Sequence, residues 1–316
     1  MSSESATPQF PIPRRVLVTG AAGLVGRVVT RAFADHGAAV TALVYEDPGD
    51  LAEIGADRVA VGDAGDPDLV REALADVDAV VHLAALPTPV HGTALEVFGG
   101  NTRATFTVLE EAGSLGVRRA AVASSFSILG LPWARRTLHP AYVPIDEDTP
   151  LQIEDPYGLS KQVDEATSEM MARRHGMDIV ALRFPFISDD QRAAYRLPLL
   201  ADDPAVGAAE LWTYLDVRDA AQVAWLAITV PLQGFHKVFV AAPDTMVPYP
   251  TADLLAAYHP DAEVRAPMPG RAAPLDLRAA ERLLWFQARH VLDLEPRPWP
   301  PPHRAGAQDV PSPPPS

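Results

Sequence analysis

The hydrophobic positions of this chain follow two alternating spacings. Short, nearly all-apolar runs are typical of parallel strands that are covered on both faces, and they occur at residues 16–19, 39–44, 58–62, 78–85, 119–124 and 178–184. Apolar residues recur at helical spacing between these runs, and the helices they predict cover 24–36, 94–113 and 155–175. A further helix is expected to start at Asp66 and Pro67, a cap residue followed by a first-turn proline. This alternation predicts an α/β fold with an open, doubly wound parallel sheet.

The alternation stops after residue 184, where prolines separate shorter elements. Residues 126–154 form a long irregular stretch of the kind that carries function. The expected organisation is a flexible N-terminus (1–13), a main sheet domain (14–184, with a strand and helix at 212–230 returning to it), a small C-terminal cap (185–211 and 231–295) and a disordered proline-rich tail (296–316).

Composition narrows the class of protein. The formal net charge is −15 and no basic stripe is visible, which argues against a nucleic-acid partner. The chain has no cysteine, so disulfides, thiolate catalysis and cysteine-bound zinc are excluded, and its histidines show no metal-ligand spacing. With no leader-like pattern and no bilayer-length apolar run, we expect a cytoplasmic protein without a metal or a membrane partner.

The first predicted strand runs into three glycines, Gly20, Gly23 and Gly26, and then into a helix. In such a turn the first glycine permits the sharp bend, the second lets the backbone approach phosphate, and the third lets the helix pack on the strand. The helix N-terminus offers unpaired N–H groups and the positive end of its dipole. The stretch therefore predicts a cradle for the pyrophosphate of a dinucleotide. Neighbouring contacts are expected from Ala22, Leu24 and Val25.

Tyr157 and Lys161 lie four residues apart at the start of a predicted helix, so their side chains share one face. A phenol with an ordinary pKa of about 10 is a poor base at neutral pH, and a nearby cation favours its ionised form. The pair is a candidate proton-transfer device. Pairs at this spacing also arise by chance, so the surrounding motifs decide its meaning.

Taken together, these motifs resemble the extended short-chain dehydrogenase/reductase superfamily, in particular its NAD-dependent epimerase/dehydratase group. The resemblance covers about 14–230, and the matching segments, in the family's order, are 19–26, Asp63, 81–85, Asn101, 123–125, Tyr157 with Lys161, and 182–185. It implies a Rossmann-like fold with a small C-terminal substrate-binding cap. It also implies hydride transfer at a nicotinamide cofactor, coupled to proton transfer through Tyr157.

The resemblance implies roles for individual residues. Tyr157 would exchange a proton with the substrate, Lys161 would bind the nicotinamide ribose, and Ser125 would hydrogen-bond the reacting oxygen. Further cofactor contacts are implied for Asp63 and Ala64 at the adenine, and for Leu83, Ala84, Ala85, Asn101, Ser124, Phe184 and Pro185 along the dinucleotide. Substrate contacts are implied for Ser125, Phe126 and Phe186. The alternatives are that the two serines merely end a strand, that Asp63 is a turn residue, and that His82 is a packed core histidine.

The ribose end of the dinucleotide departs from the family pattern. An acidic residue after the second strand suits NAD, whereas an arginine suits the 2′-phosphate of NADP. Here Val44 stands at the acidic position and Tyr45 stands where NADP-preferring relatives carry arginine. Glu46 or Asp47 could bind the ribose after a small shift in register, and Arg27 could instead bind a phosphate. We favour NAD because the local charge is acidic, and NADP stays open.

Phe186 is a second departure, because nucleotide-sugar enzymes of the family carry there an asparagine that touches the diphosphate. An apolar side chain cannot replace that hydrogen bond, and the following segment, 187–210, is short. Both features favour a small unactivated substrate, a sugar or a secondary metabolite, as in relatives of the uronate dehydrogenase type.

The leading hypothesis is therefore an NAD(P)-dependent oxidoreductase acting on a small hydroxyl or carbonyl compound. An epimerase or dehydratase without net cofactor turnover is the alternative, and a dinucleotide-sensing regulator is less favoured because Tyr157 and Lys161 are both present. The resemblance also implies a homodimer formed through the two long helices.

Overall fold

The computed structural model describes residues 12–299, which form eleven strands and eight α-helices. The strands are β1 (Arg15–Thr19), β2 (Ala39–Val44), β3 (Ala56–Val61), β4 (Ala79–His82), β5 (Arg119–Ser125), β6 (Tyr142–Val143), β7 (Asp178–Phe184), β8 (Phe186–Ser188), β9 (Tyr214–Asp216), β10 (Phe235–Phe239) and β11 (Glu263–Val264). The helices are α1 (Leu24–Asp35), α2 (Pro67–Ala73), α3 (Ala94–Ser114), α4 (Pro156–His175), α5 (Asp190–Asp202), α6 (Val217–Thr229), α7 (Thr251–Tyr258) and α8 (Arg278–Leu284).

Seven strands form one parallel sheet in the order β10-β7-β5-β4-β1-β2-β3. The order reverses between β1 and β4, and ligands of open α/β sheets bind outside the carboxyl ends of the strands at such a point. The predicted Rossmann-like, doubly wound sheet is confirmed.

The two faces of the sheet bury separate apolar layers. Along β1, Val16 and Val18 face the layer shared with α1, α6 and α8, whereas Leu17 faces the layer shared with α2, α3 and α4. This alternation follows from the two-residue period of a strand. A third apolar cluster lies in the cap, around Trp212 and Tyr249.

Local signals placed most helices of the main domain correctly. The side chain of Asp66 accepts hydrogen bonds from the first turn of α2, and Asp155 accepts one from the backbone of Gly158 at the start of α4. Both helices carry proline in their first turn, as predicted. These caps matter for function because α4 carries Tyr157 and Lys161.

The return to the main sheet differs from the expectation. Within 212–230 only α6 packs against the main sheet, because β9 pairs with β8 in a separate two-stranded sheet. The last strand of the main sheet is β10, which lies in the range 231–295 expected to form the cap. β10 is an edge strand and contains His236 and Lys237. Because these polar residues interrupt its apolar pattern, the sequence did not predict it as a strand.

Two further stretches are more ordered than expected. Residues 126–154 contain a buried 3-10 turn (Phe126–Leu129) as well as β6. At the start of the expected tail, the backbone N–H of Arg297 donates to Pro248 at 2.8 Å, and the ring of Trp299 lies 5.6 Å from that of Tyr249. Residues 1–11 and 300–316, and with them most of the expected flexible termini, lie outside the described residues.

No helix within residues 12–299 is both long enough and apolar enough to cross a bilayer.

The glycine turn after β1 has no room for side chains. Gly20 has a φ of +66°, and a Cβ there would lie 2.8 Å from the backbone nitrogen of Ala84. A Cβ on Gly26 would overlap the carbonyl oxygen of Gly20. The turn is thus held closely against both the start of α1 and the chain that follows β4.

Replacing Gly20 with alanine is expected to lower the free energy of unfolding more than the same change at Gly37. Both residues have positive φ, which costs about 1–2 kcal/mol for a side chain, but only the Cβ at Gly20 meets backbone, which adds about 1–3 kcal/mol. Denaturant unfolding of Gly20→Ala and Gly37→Ala measures the difference. Equal losses would contradict the close approach of the turn to Ala84.

Candidate active site

A cavity of about 760 Å³ runs along the carboxyl ends of β1, β2, β4, β5 and β7. Nearly all of the residues predicted from the sequence line it, namely Gly20, Ala22, Gly23, Leu24, Val25, Gly26, Tyr45, Glu46, Leu83, Ala84, Ala85, Ser124, Ser125, Phe126, Tyr157, Lys161, Phe184, Pro185 and Phe186. The glycine turn and the Tyr157–Lys161 pair therefore line one and the same cavity.

Three predicted cofactor residues do not line the cavity: Asp63, Ala64 and Asn101. Asp63 accepts a hydrogen bond from the backbone of Gly65 at 2.7 Å and forms an ion pair with Arg103. Ala64 is buried in the layer beneath α2 and α3. Their contact with a cofactor stays a prediction.

Asn101 connects the chain after β4 to α4. Its side-chain oxygen accepts from the backbone N–H of Leu86 at 2.8 Å, and its amide nitrogen donates to the Leu86 carbonyl and to the Ser160 hydroxyl, both at 3.1 Å. Asn101 therefore fixes the cavity wall relative to the helix that carries Tyr157.

Thr19 and His82 hold the ends of β1 and β4 together. The Thr19 hydroxyl accepts from the backbone N–H groups of Leu83 and Ala84 at 3.2 Å and lies 2.8 Å from Nδ1 of His82. Burial, and secondly the charge of Lys161, lower the pKa of His82 to about 3, so the imidazole is neutral at physiological pH. His82 is therefore a packed core residue, as expected from its position within a strand.

The start of α4 brings Tyr157 and Lys161 to the end of β5. Tyr157 is 8% exposed and Lys161 3% exposed, and the ammonium lies 5.8 Å from the centroid of the Tyr157 ring. Lys161 Nζ donates to the carbonyl of Ala123 at 2.9 Å and to Oδ2 of Asp164 at 3.1 Å. The cation is thereby fixed between β5 and α4, with the phenol beside it.

The charges around Lys161 keep it protonated. Burial by itself lowers the pKa of the ammonium, but Asp164, Tyr157 and Glu165 oppose this effect, and the net pKa is raised above the ordinary value. A positive charge beside a phenol stabilises the phenolate form.

The two serines at the end of β5 are used differently. The Ser124 hydroxyl donates to Oε1 of Glu165 at 2.7 Å, and Glu165 forms two further bonds of 2.8 Å with the guanidinium of Arg183. The Ser125 oxygen accepts from the backbone N–H of Ser127 at 3.0 Å, an interaction that does not use the hydroxyl proton. Ser125 is therefore the serine whose proton can be offered to a ligand in the cavity.

Comparison with known proteins identifies the family. Residues 16–188 match the model of the NAD dependent epimerase/dehydratase family. The chain belongs to this family. A solved short-chain dehydrogenase/reductase superfamily protein from Agrobacterium tumefaciens, with bound NAD, matches with a TM-score of 0.65 at 25% identity over 88% of this chain and 93% of that one.

Two curated relatives of this epimerase/dehydratase family member match part of their length. L-Arabinose 1-dehydrogenase (NAD(P)(+)) of Haloferax volcanii is 33% identical over 180 residues, which cover 55% of this chain and 67% of that protein. Uronate dehydrogenase of Pseudomonas syringae pv. tomato is 30% identical over 179 residues, which cover 56% of this chain and 60% of that protein. The chain thus spans about two thirds or less of the length of these relatives.

The part of the cavity wall that follows β2 is acidic. Tyr45, Glu46 and Asp47 all line the cavity beyond β2. Arg27, the one alternative considered for a phosphate contact, is paired with Asp50 through two hydrogen bonds, one of 2.9 Å. The guanidinium beside Asp50 lowers the pKa of that carboxyl, which is exposed. Arg27 is therefore already engaged by a carboxylate.

The opposite end of the cavity contains residues that the sequence motifs did not reveal. Arg192 and Glu210 line it together with Trp133, and the ring of Phe186 lies 4.6 Å from the guanidinium carbon of Arg192 and 4.1 Å from that of Arg196. Glu210 forms an ion pair with Arg196. The capping Asp189 and the four-residue spacing of the two arginines on α5 were the only sequence signal.

No group of three or more metal-ligating side chains occurs within residues 12–299.

Proposed function

We propose that this protein is an NAD(P)-dependent oxidoreductase that transfers a hydride between nicotinamide and a small hydroxyl or carbonyl compound, a sugar or a similar metabolite. The observation that carries the proposal is the buried Tyr157–Lys161 pair beside Ser125, in the same cavity as the glycine turn. The dehydrogenase names of two relatives support the same reaction class.

The residues present fit a dinucleotide. At Gly20 and Gly26 a side-chain Cβ would collide with neighbouring backbone, so the turn is free of side chains at both positions. A turn of this kind lets the backbone approach a pyrophosphate closely. Lys161 has three ammonium donors, and two are used by Ala123 and Asp164, so one is left for a ribose hydroxyl. When bound, the nicotinamide accepts or supplies the hydride.

The chain's own residues handle the proton. In the direction of oxidation, Tyr157 as phenolate takes the proton of the substrate hydroxyl, while Ser125 donates a hydrogen bond to the same oxygen. Lys161 favours the phenolate through its charge. In reduction the same phenol returns the proton to the carbonyl oxygen.

The lining of the cavity supports a small substrate. Its lining residues lie between Gly20 and Glu210, and Phe186, Trp133 and Arg192 are among them. Phe186 packs against two guanidinium groups and leaves no side chain at its position to hydrogen-bond a diphosphate. We therefore propose a free sugar or comparable metabolite rather than a nucleotide sugar.

Tyr157→Phe is expected to reduce turnover by about 10²–10⁴-fold, because it removes the proton-transfer group, and to change the affinity for NAD by less than about threefold, because one hydroxyl contact at most is lost. Turnover is measured as reduced-nicotinamide absorbance over a panel of aldoses, uronates and nucleotide sugars. Tyr195→Phe, at an exposed tyrosine on α5, is the control. A Tyr157→Phe variant as active as the wild type would contradict the proposal.

The stoichiometry of the same reaction separates the oxidoreductase from an epimerase or dehydratase. One reduced nicotinamide released for each product molecule is the expected result. Product formation without net reduction of the cofactor would contradict the oxidoreductase and favour the alternative named by the family.

Wild-type protein is expected to prefer NAD to NADP, because the ribose end is acidic and Arg27 is paired with Asp50. Asp50→Asn releases Arg27 and is expected to raise the affinity for NADP by about tenfold, with the affinity for NAD unchanged. Calorimetric titration measures both. Asp57→Asn, which breaks an ion pair with Arg15 at the amino end of β1, is the matched control. An unchanged NADP affinity in Asp50→Asn would exclude this role of the Arg27–Asp50 pair.

A homodimer formed through α3 and α4 is part of the proposal. Leu95 and Phe106 on α3 and Leu159 on α4 are exposed apolar side chains on these two packed helices. Sedimentation is expected to give twice the chain mass, and Phe106→Lys is expected to give monomers because it places a charge in the contact. Tyr195→Lys on α5 should leave the mass unchanged. A monomeric wild-type protein would contradict the proposed homodimer.

We also place the protein in the cytoplasm and without a nucleic-acid partner, in keeping with its acidic charge. Fractionation of the source cells tests the location, and recovery in a membrane or secreted fraction would contradict it.

A further inference from the structure

The most unusual feature near the cavity is a fully buried carboxylate next to the reactive lysine. Asp164 is 0% exposed and lies one helical turn after Lys161, with its Oδ2 3.1 Å from the ammonium. Its second oxygen, Oδ1, is buried and has no hydrogen-bond partner among the described residues. Burying a carboxylate with an unsatisfied oxygen is costly, so the fold gains little from this residue by packing alone.

Asp164 belongs to a network of buried polar side chains that extends from Thr19, at the end of β1, to the Tyr157–Lys161 pair. Thr19 contacts His82, and the other nitrogen of His82 lies 3.1 Å from the Thr105 hydroxyl. The Thr105 side chain in turn lies next to Asp164. Asp164 then contacts Lys161. This network of polar side chains joins β1, β4, α3 and α4 beneath the cavity.

The groups that face Lys161 can be listed by element. α4 supplies Asp164, Glu165 and Tyr157, β4 supplies the neutral imidazole of His82, β5 supplies the Ala123 carbonyl, and α3 supplies the neutral Thr105 hydroxyl. Glu165 is itself neutralised by two hydrogen bonds from Arg183 on β7. Burial raises the pKa of the Asp164 carboxyl and the Lys161 ammonium opposes that rise, and the ionised Asp164 is the main negative charge acting on the ammonium.

This arrangement affects the phenol as well. The positive charge of Lys161 favours the Tyr157 phenolate, and a negative charge next to that lysine cancels part of the effect. The contact also directs the ammonium, because it occupies one of the three donors and holds Nζ against β5.

We propose that Asp164 is a positioning residue that anchors the Lys161 ammonium beneath the cavity and offsets part of the positive charge that Lys161 presents to the Tyr157 phenol. The catalytic part of this inference rests on the proposed function, in which Tyr157 transfers the proton. The electrostatic part concerns the phenol alone and holds whether or not a substrate is turned over.

Asp164→Asn preserves the shape of the side chain and removes its charge. Ionisation of Tyr157 is followed as the difference in tyrosinate absorbance between each protein and the same protein carrying Tyr157→Phe. The Tyr157 transition is expected to move to lower pH by about one unit in Asp164→Asn. The acid limb of the pH profile of kcat/KM for oxidation should move by the same amount.

Glu169→Gln is the matched control, since it removes one negative charge from an exposed position on the same helix. It should move neither curve by more than about 0.2 units, because exposed charges are screened. Asp164→Ser, a smaller neutral replacement, is measured alongside, and circular dichroism checks that each variant is folded.

Coincident curves for wild type, Asp164→Asn and Asp164→Ser would overturn the proposal, as would a shift of equal size in Glu169→Gln. If the wild type turned over no compound of the panel, the proposed function would fail, while the absorbance titration would still decide the role of Asp164. A shift in absorbance without a shift in the kcat/KM profile would overturn the catalytic part.

Discussion

A buried ammonium is the constraint on which the site depends. Lys161 is almost completely enclosed, and an unpaired cation in that position would lose several kcal/mol of hydration. The ammonium instead donates hydrogen bonds to the Ala123 carbonyl on β5 and to the Asp164 carboxylate on α4. The end of β5 and the first turns of α4 must therefore be in place before the cation, and the phenol beside it, can be stable.

The arrangement of the parallel strands explains why the glycine turn and the Tyr157–Lys161 pair share one cavity. Parallel strands present all their carboxyl ends on one side, so the turns after β1, β4, β5 and β7 converge there. Thr19 ties the turn after β1 to the backbone after β4, and Asn101 ties the latter to α4. These neutral hydrogen bonds keep the distance between the two halves of the cavity fixed without adding charge to it.

Much of the fold was predictable because its signals are local. Apolar runs marked the central strands, and Asp66 and Asp155 with their following prolines marked two helix starts. The edge strand β10 was not predictable in the same way, because His236 and Lys237 interrupt its apolar pattern and only pairing with β7 makes it a strand. The separate pairing of β8 with β9 likewise depends on contacts far apart in the chain.

The candidate site shows the same difference between residues with local sequence signals and residues placed by long-range packing. Gly20, Tyr157 and Lys161 line the cavity, and they were predicted from the glycine spacing and from the resemblance to the extended short-chain dehydrogenase/reductase motifs. Arg192 lies on α5 and Glu210 ends the 3-10 segment Pro204–Glu210. They were missed because neither segment carries a motif, and their place in the cavity follows from the packing of Phe186 and Arg196. Asp164 was missed because nothing in its spacing distinguishes a buried carboxylate from an exposed one.

The affinity of NAD for a protein without the Lys161 ammonium tests the account most directly. The variant should be Lys161→Met combined with Asp164→Asn, so that no buried charge is left unpaired, and its partner for comparison is Asp164→Asn alone. Calorimetric titration is predicted to show NAD binding weakened by at least about tenfold when the ammonium is removed, the loss of one hydrogen bond from a charged donor. Equal affinities in the two folded variants would contradict the account, because Lys161 would then contribute nothing to holding the dinucleotide.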